Sequence, residues 1–117
     1  MIQDKALELG RLLGQTNEYK ALLSSREELE NTPEVKAQMQ RVEMLTEKLE
    51  PLAKEGKEPP KEMSEEYESL LSSIQAHPKY QKVISAQSNF DKVMLQVNEK
   101  ILEGIRKGAE SSIIIPG

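Results

Sequence analysis

The stretch PKYQKVISAQSNFDKVMLQVNEKILEGIRK, Pro78 to Lys107, decides the fold class. Within it Val83, Phe90 and Val97 stand seven residues apart, and Ala86, Met94, Ile101 and Ile105 fall on the same side at helical spacing. Pro78 suits the first turn of a helix, where its missing N–H costs nothing, and disfavours helical geometry at His77 before it. The spacing therefore predicts one long helix from Pro78 to about Lys107. Its apolar row is close to a coiled-coil seam, with Val83, Phe90, Met94, Val97 and Ile101 as the central packing residues of the core or of an interface. About 30 residues at 1.5 Å each give a helix of roughly 45 Å, whereas a compact chain of this size has a radius of gyration near 13 Å and is roughly 35 Å across. The helix overhangs such a globule. An elongated shape, or a partner over the overhang, resolves the mismatch, and a closed twofold dimer is the commonest such solution.

Upstream, the same periodicity recurs in shorter pieces. Ile2, Ala6, Leu9 and Leu13 follow steps of four, three and four along one face, widened by Leu7 and Leu12. Gly14 then Thr16 read as a helix stop followed by a new N-cap. A second helix follows from about Asn17 to Glu30, with Tyr19, Leu22, Leu23 and Leu29 inward. In Asn31-Thr32-Pro33-Glu34 a capping hydroxyl precedes a proline at the first helical position and an acid in the first turn, which starts a third helix. Its stripe is Val35, Met39, Val42, Leu45, Leu49 and Leu52, and Pro51 predicts a kink or an end near Glu50. Lys54 to Pro60 is a charged, Gly- and Pro-containing connection. A fourth helix over Lys61 to Ala76 carries Met63, Tyr67, Leu70, Leu71 and Ile74 and stops at His77-Pro78. The expectation is an all-α, elongated bundle of about five helices, one domain over residues 1–107 with a C-terminal tail over 108–117, completed by dimerisation. In that tail Ile113, Ile114, Ile115 and Pro116 form an apolar plug that either docks in a groove or frays.

Composition excludes more than it assigns. The chain has 117 residues, 37% of them hydrophobic and 31% charged, which supports a lean core and not a disordered chain. Twenty acidic against 16 basic residues give a net charge of −4, the wrong sign for a general nucleic-acid binder. Without cysteine there is no disulfide, thiolate zinc site, cysteine-ligated iron–sulfur cluster or cysteine nucleophile. No basic and apolar leader opens the sequence, and no apolar run approaches the ~18 residues of a membrane span. The plain reading is a cytoplasmic protein.

Candidate chemistry is sparse. His77 is the lone histidine and reads as a helix junction. Glu62, Glu65, Glu66 and Glu68 invite a hard cation such as Mg²⁺, but only Glu62 and Glu65 have the three-residue spacing that brings side chains together, so a solvated first turn complementing the helix dipole is the simpler reading. Phosphate-cradling glycine loops and nucleophile elbows are absent from the sequence. Lys79, Lys82, Lys92, Lys100, Arg106 and Lys107 make the last helix relatively basic, the basis of an alternative in which it touches RNA phosphate, but there are few aromatics for base stacking. Met39, Met44, Met63 and Met94 read as core filler. Catalytic, metal and cofactor residues are thus assigned to none of these positions. A non-enzymatic helical protein acting through protein–protein interaction is expected.

The order of elements resembles the YlbF/YmcA family of small bacterial helical proteins, with its stand-alone YheA-like members. The resemblance is carried by the opening amphipathic helix, Thr16-Asn17-Glu18-Tyr19, the junction Leu29-Glu30-Asn31-Thr32-Pro33-Glu34, the charged loop, His77-Pro78-Lys79-Tyr80 and Ala86-Gln87-Ser88-Asn89-Phe90. It spans about Lys5 to Ile105. It implies an α-helical, homodimeric protein without enzymatic activity, a partner in complexes linked to endoribonuclease-dependent mRNA processing, competence, sporulation and biofilm formation. Relatives with C-terminal cysteines are associated with iron–sulfur binding; this chain has no cysteine to match them.

Overall fold

The computed structural model describes residues 1–114, with side chains described through Glu110. Five helices follow in order: α1 Ile2–Gly14, α2 Asn17–Glu30, α3 Pro33–Lys54, α4 Lys61–Ala76 and α5 Pro78–Ile114. Among the described residues there is no strand. The punctuation follows local chemistry. Thr16 caps α2 by accepting from the Tyr19 N–H at 3.2 Å, while its hydroxyl donates to the Leu13 carbonyl of α1 at 2.7 Å, so one side chain ends one helix and begins the next. Pro33 occupies the first turn of α3 as expected. Thr32 does not cap α3: its hydroxyl turns back to the Glu28 carbonyl at 2.7 Å and satisfies the last turn of α2 instead.

Helix α5 ends later than the sequence pattern placed it, and of the two courses expected at Pro51, a kink or an end near Glu50, α3 does not take the end. Helix α3 runs through Pro51 to Lys54, one turn beyond Glu50. A proline that near the C-terminus removes only one late hydrogen bond, and Leu49, Leu52 and Ala53 of that turn still pack beside Tyr67 and Pro59 or lie half-buried. The turn is closed by Gly56 at φ +70, where Lys57 donates to Leu52 and Gly56 to Ala53, a Schellman arrangement that needs the left-handed conformation glycine supplies. Helix α5 continues past Lys107 to Ile114, 37 residues or about 55 Å. Gly108 therefore lies inside a helix and not in an irregular tail. The proposed docking or fraying of the Ile113 to Pro116 plug lies outside the described residues.

Helix α2 packs antiparallel on the first half of α5. Glu28 meets Lys79 and Lys82, Arg26 meets Gln87, and the Tyr19 and Phe90 rings stand 5.2 Å apart at 56°. Helices α3 and α4 form an antiparallel hairpin tied by Gln38 to Ser73 and by a two-point contact of the Arg41 guanidinium with Glu66. The core sits where these pairs meet: Leu22, Leu29, Val35, Leu45, Ile74 and Ala86 are buried, with Ser25 satisfied by the Leu22 carbonyl at 2.9 Å. Leu23, Met39 and Met44, read as inward or core filler, are 44%, 44% and 50% exposed. They sit at the margins of stripes whose centres are already filled by Leu22, Val35 and Leu45. The radius of gyration is 21.9 Å, well above the ~13 Å of a compact chain of this length, and the molecule measures 70 × 36 × 21 Å.

Candidate interaction surface

Everything that fills the core comes from α2, α3, α4 and the first turns of α5. Helix α1 buries none of its residues completely and packs only on α2; among the described residues no Cα of α1 lies within 8 Å of a Cα of α5. It runs instead across an open groove from the far half of α5. The groove holds about 710 Å³, with Leu9 on one wall and Val93, Val97 and Ile101 on the other, rimmed by Gln96, Glu99 and Lys100. Ile2, Leu7 and Leu12 on α1 are 58% exposed or more, and Leu95, Ile101, Leu102 and Ile105 on α5 are between 47% and 61% exposed. Scattered exposed leucines are ordinary; apolar residues of two helices that line one open groove make a candidate binding surface.

The predicted seam divides between two duties. Val83 and Phe90 are half-buried in the proximal half, where Phe90 is engaged by Tyr19 within the chain. Met94 lies at the boundary, half-buried. Val97 and Ile101 face the open groove. So only the distal part of that row is available to another molecule. Sequence reasoning missed Leu95 and Leu102, which form a second exposed row beside the first. Their signal is in the sequence, since they too stand seven apart, but one stripe already accounts for a helix and the pattern does not require a second row.

Most basic residues of the long helix are paired with carboxylates of α2 or of α5 itself. Lys79 and Lys82 both hold Glu28, and these two hydrogen bonds, Lys82 first, keep the Glu28 carboxyl below its usual range. Lys107 and Lys100 do the same to Glu103. Four of the six basic residues considered for RNA contact are therefore in ion pairs within the chain. The acidic cluster on α4 is likewise drawn apart. Glu66 turns to Arg41, whose hydrogen bonds lower the carboxyl and raise the guanidinium, while Glu65 faces Lys61. Among the described residues no group of three or more His, Cys, Asp or Glu is placed to hold a metal ion.

His77 is more engaged than a solvated junction. Its Nδ1 accepts from the Lys79 N–H at 3.1 Å, capping α5, and its Nε2 lies 2.7 Å from Glu34 at the start of α3. A ring nitrogen that accepts from a backbone N–H carries no proton, so Nε2 is the donor to Glu34. The residue pins two helix N-termini together, a structural duty. No helix among the described residues is long and apolar enough to cross a membrane.

No curated protein and no solved structure matches the chain. Residues 2–106 match a family model described as control of competence regulator ComK, YlbF/YmcA. That match covers α1, the packed helices and α5 as far as Arg106, including both walls of the groove. With nearly its whole length accounted for, the chain belongs to the YlbF/YmcA family, whose description ties it to the control of competence.

Proposed function

We propose that this protein is a non-enzymatic regulatory subunit or adaptor of the cytoplasm, working through protein–protein contacts, with a second copy of itself as its first partner. The observation that carries the reading is the apolar surface shared by α1 and distal α5, which this chain leaves in solvent. The family's tie to competence supports a regulatory role, and the resemblance extends it to complexes that influence mRNA processing. The polar groups on this surface, Gln96, Glu99 and Lys100, rim an apolar groove, a lining that suits contact with another protein.

Light scattering or sedimentation over nanomolar to micromolar concentrations tests the self-association. A species of twice the 13.2 kDa chain mass, dissociating on dilution, is the expected result. A monomer throughout the micromolar range would overturn the reading. Direct RNA contact by the basic side of α5 predicts instead salt-sensitive binding lost when Lys79, Lys82 and Lys92 are replaced by Glu. The ion pairs that already hold Lys79 and Lys82 count against it.

A further inference from the structure

We infer that the outer face of the α3–α4 hairpin is a docking groove for a basic amphipathic helix of another protein, which lays apolar anchors along the hairpin and sets Lys or Arg against Glu43, Glu50 and Glu68. The inference rests on the adaptor reading. It adds a second surface, apart from the arm formed by α1 and α5 beyond Met94, and the chemistry of what that surface holds.

Three depressions follow one another along the hairpin. One, of about 270 Å³, lies between Met39 and Val42 of α3, Leu71 of α4 and Tyr80 of α5. The next two, of about 270 and 230 Å³, share Leu49, Ala53 and Tyr67. Each is smaller than the ~300–1,000 Å³ of a small-molecule site and suits a single side-chain anchor. From Met39 to Ala53 the row runs about 20 Å, or about four turns, the length over which a helix in a groove sets anchors three, four and seven residues apart.

The spacing on α3 matches such a guest. Met39, Thr46 and Ala53 stand seven apart, as do Val42 and Leu49 and, beside them, Glu43 and Glu50. This row is distinct from Val35 and Leu45, which fill the core: Val42, Thr46 and Leu49 are half-buried and Met39 is 44% exposed. A seven-residue apolar row with charges beside it is the pattern by which one helix receives another, the row taking the knobs and the charges selecting the partner. Tyr67 and Leu71 of α4 form the opposite wall.

Charge identifies the occupant. Residues 33–76 carry ten acidic and six basic side chains, so the hairpin with its loop holds the whole net charge of −4 and the rest of the chain is balanced. Glu43 and Glu50 stand on the α3 rim and Glu68 on the α4 rim; all three are exposed, and among the described residues none is in an ion pair. Lys57, the basic residue at the end of the row, is turned to Glu55 at 3.1 Å. Nucleic acid and anionic membrane have the wrong sign for this face. A second copy presenting the same face about a twofold axis sets like carboxylates against each other. A helix with Lys or Arg on both flanks of an apolar stripe satisfies rims and floor together.

The test uses the full chain and a labelled synthetic peptide of about 18 residues, Leu at alternating steps of three and four with Lys on both flanks. Fluorescence anisotropy should show it binding at least 10-fold tighter than a counterpart with Glu for each Lys, and at least 10-fold tighter than one with Ser for each Leu. Amide shifts on binding should fall on Met39 to Ala53, Tyr67 to Leu71 and Tyr80. Glu43→Lys, Glu50→Lys and Glu68→Lys together should weaken the basic peptide at least 10-fold and admit the acidic one, with circular dichroism and self-association unchanged, because all three side chains are exposed. Equal binding of the Ser peptide means that charge alone is recognised and overturns the groove. Equal binding of the acidic peptide to the unmodified chain overturns the choice of occupant. Shifts on the α1/α5 arm in place of the hairpin, or no binding by a protein that still self-associates, overturn the inference and leave self-association standing. A monomer that binds the basic peptide on the hairpin supports the groove and sinks self-association alone.

Discussion

The two ends of α5 share one helix and one pattern of apolar residues, yet they do opposite things. Over its first turns the helix is gripped by α2, by His77 at its N-terminus and by two lysines on Glu28, and Ala86 is buried. Beyond Met94 the same pattern continues, with Val97, Ile101 and Ile105 at the right spacing, and none of the described residues is packed on it closely enough to bury it. The difference comes from the partner helix and not from α5. Helix α2 is 14 residues long, and antiparallel to α5 it runs out where Tyr19 meets Phe90. Helix α1 then leaves at the Thr16 cap and stays too far from α5 to close over it. Apolar periodicity thus reports that a surface is to be covered; it does not say by which chain.

The largest expected contrast follows from truncation. Leu45→Ala or Leu22→Ala, each at 2% exposure or less, should cost about 2–5 kcal/mol, the sum of lost transfer energy and a cavity the surrounding helices cannot fill. Leu12→Ala, at 60% exposure, should change the stability of the single chain by no more than about 0.5 kcal/mol. Urea unfolding at a concentration low enough to keep the protein monomeric measures both. Equal losses at Leu12 and Leu45 would mean that the arm is packed within one chain, and the comparison between the two halves would fail.

That contrast also marks how far sequence alone could reach. Helix number, order and most boundaries were legible because Thr16, Pro33, Gly56 and Pro78 are strong local signals whose effect does not depend on tertiary partners. The reach of α3 past Pro51 was not, since a late proline costs little and the packing of Leu49 and Leu52 is a tertiary fact. Nor was the extension of α5 to Ile114, where Gly108 reads locally as a stop. The interaction surface was half legible. The seam was expected to serve the core or an interface, and the sequence does not divide it: Phe90 is engaged by Tyr19 within the chain, while Val97 and Ile101 line the open groove. A periodic row looks identical whether a neighbour within the chain or a separate molecule covers it. Leu23 and Met39 show the same limit at the edge of a stripe, where one step of 100° decides between contact and water.

A smaller effect is expected at the joint that holds the packed half in register. His77→Ala removes the cap on α5 and the bond to Glu34 together, and should lower stability by about 1–2 kcal/mol, the usual worth of an N-cap with a little added by the exposed second bond. His77→Asn keeps an acceptor at the N-cap position, so it should recover most of the loss although it cannot reproduce the reach to Glu34. Chemical denaturation of the three proteins separates the two bonds. If Asn fares no better than Ala, the imidazole contributes by its contact with Glu34 and not as a cap.

The smallest effect distinguishes ties between helices from ties within one. Glu28 joins α2 to α5 and Glu66 joins α4 to α3, whereas Glu103 pairs only with Lys100 and Lys107 of its own helix. Hydrogen bonds from the cationic partners lower all three carboxyls below 4.5 in the folded protein. The sign follows by linkage: the folded state holds these groups ionised more readily than the unfolded chain does, so the stabilisation is fully present above pH 4.5 and fades as pH falls through the lowered folded values. The pairs are solvent-exposed, which keeps each contribution modest and sensitive to salt. Glu28→Gln and Glu66→Gln should each flatten the loss of global stability between about pH 5 and 3, and should have less effect in 1 M salt. Glu103→Gln should leave that global curve nearly unchanged, because its charge pairs turns of an arm that the packed half does not need. An acid transition that moved as much with Glu103→Gln as with Glu28→Gln would show that the arm unfolds with the packed half as one unit, and would replace the picture of two regions with one.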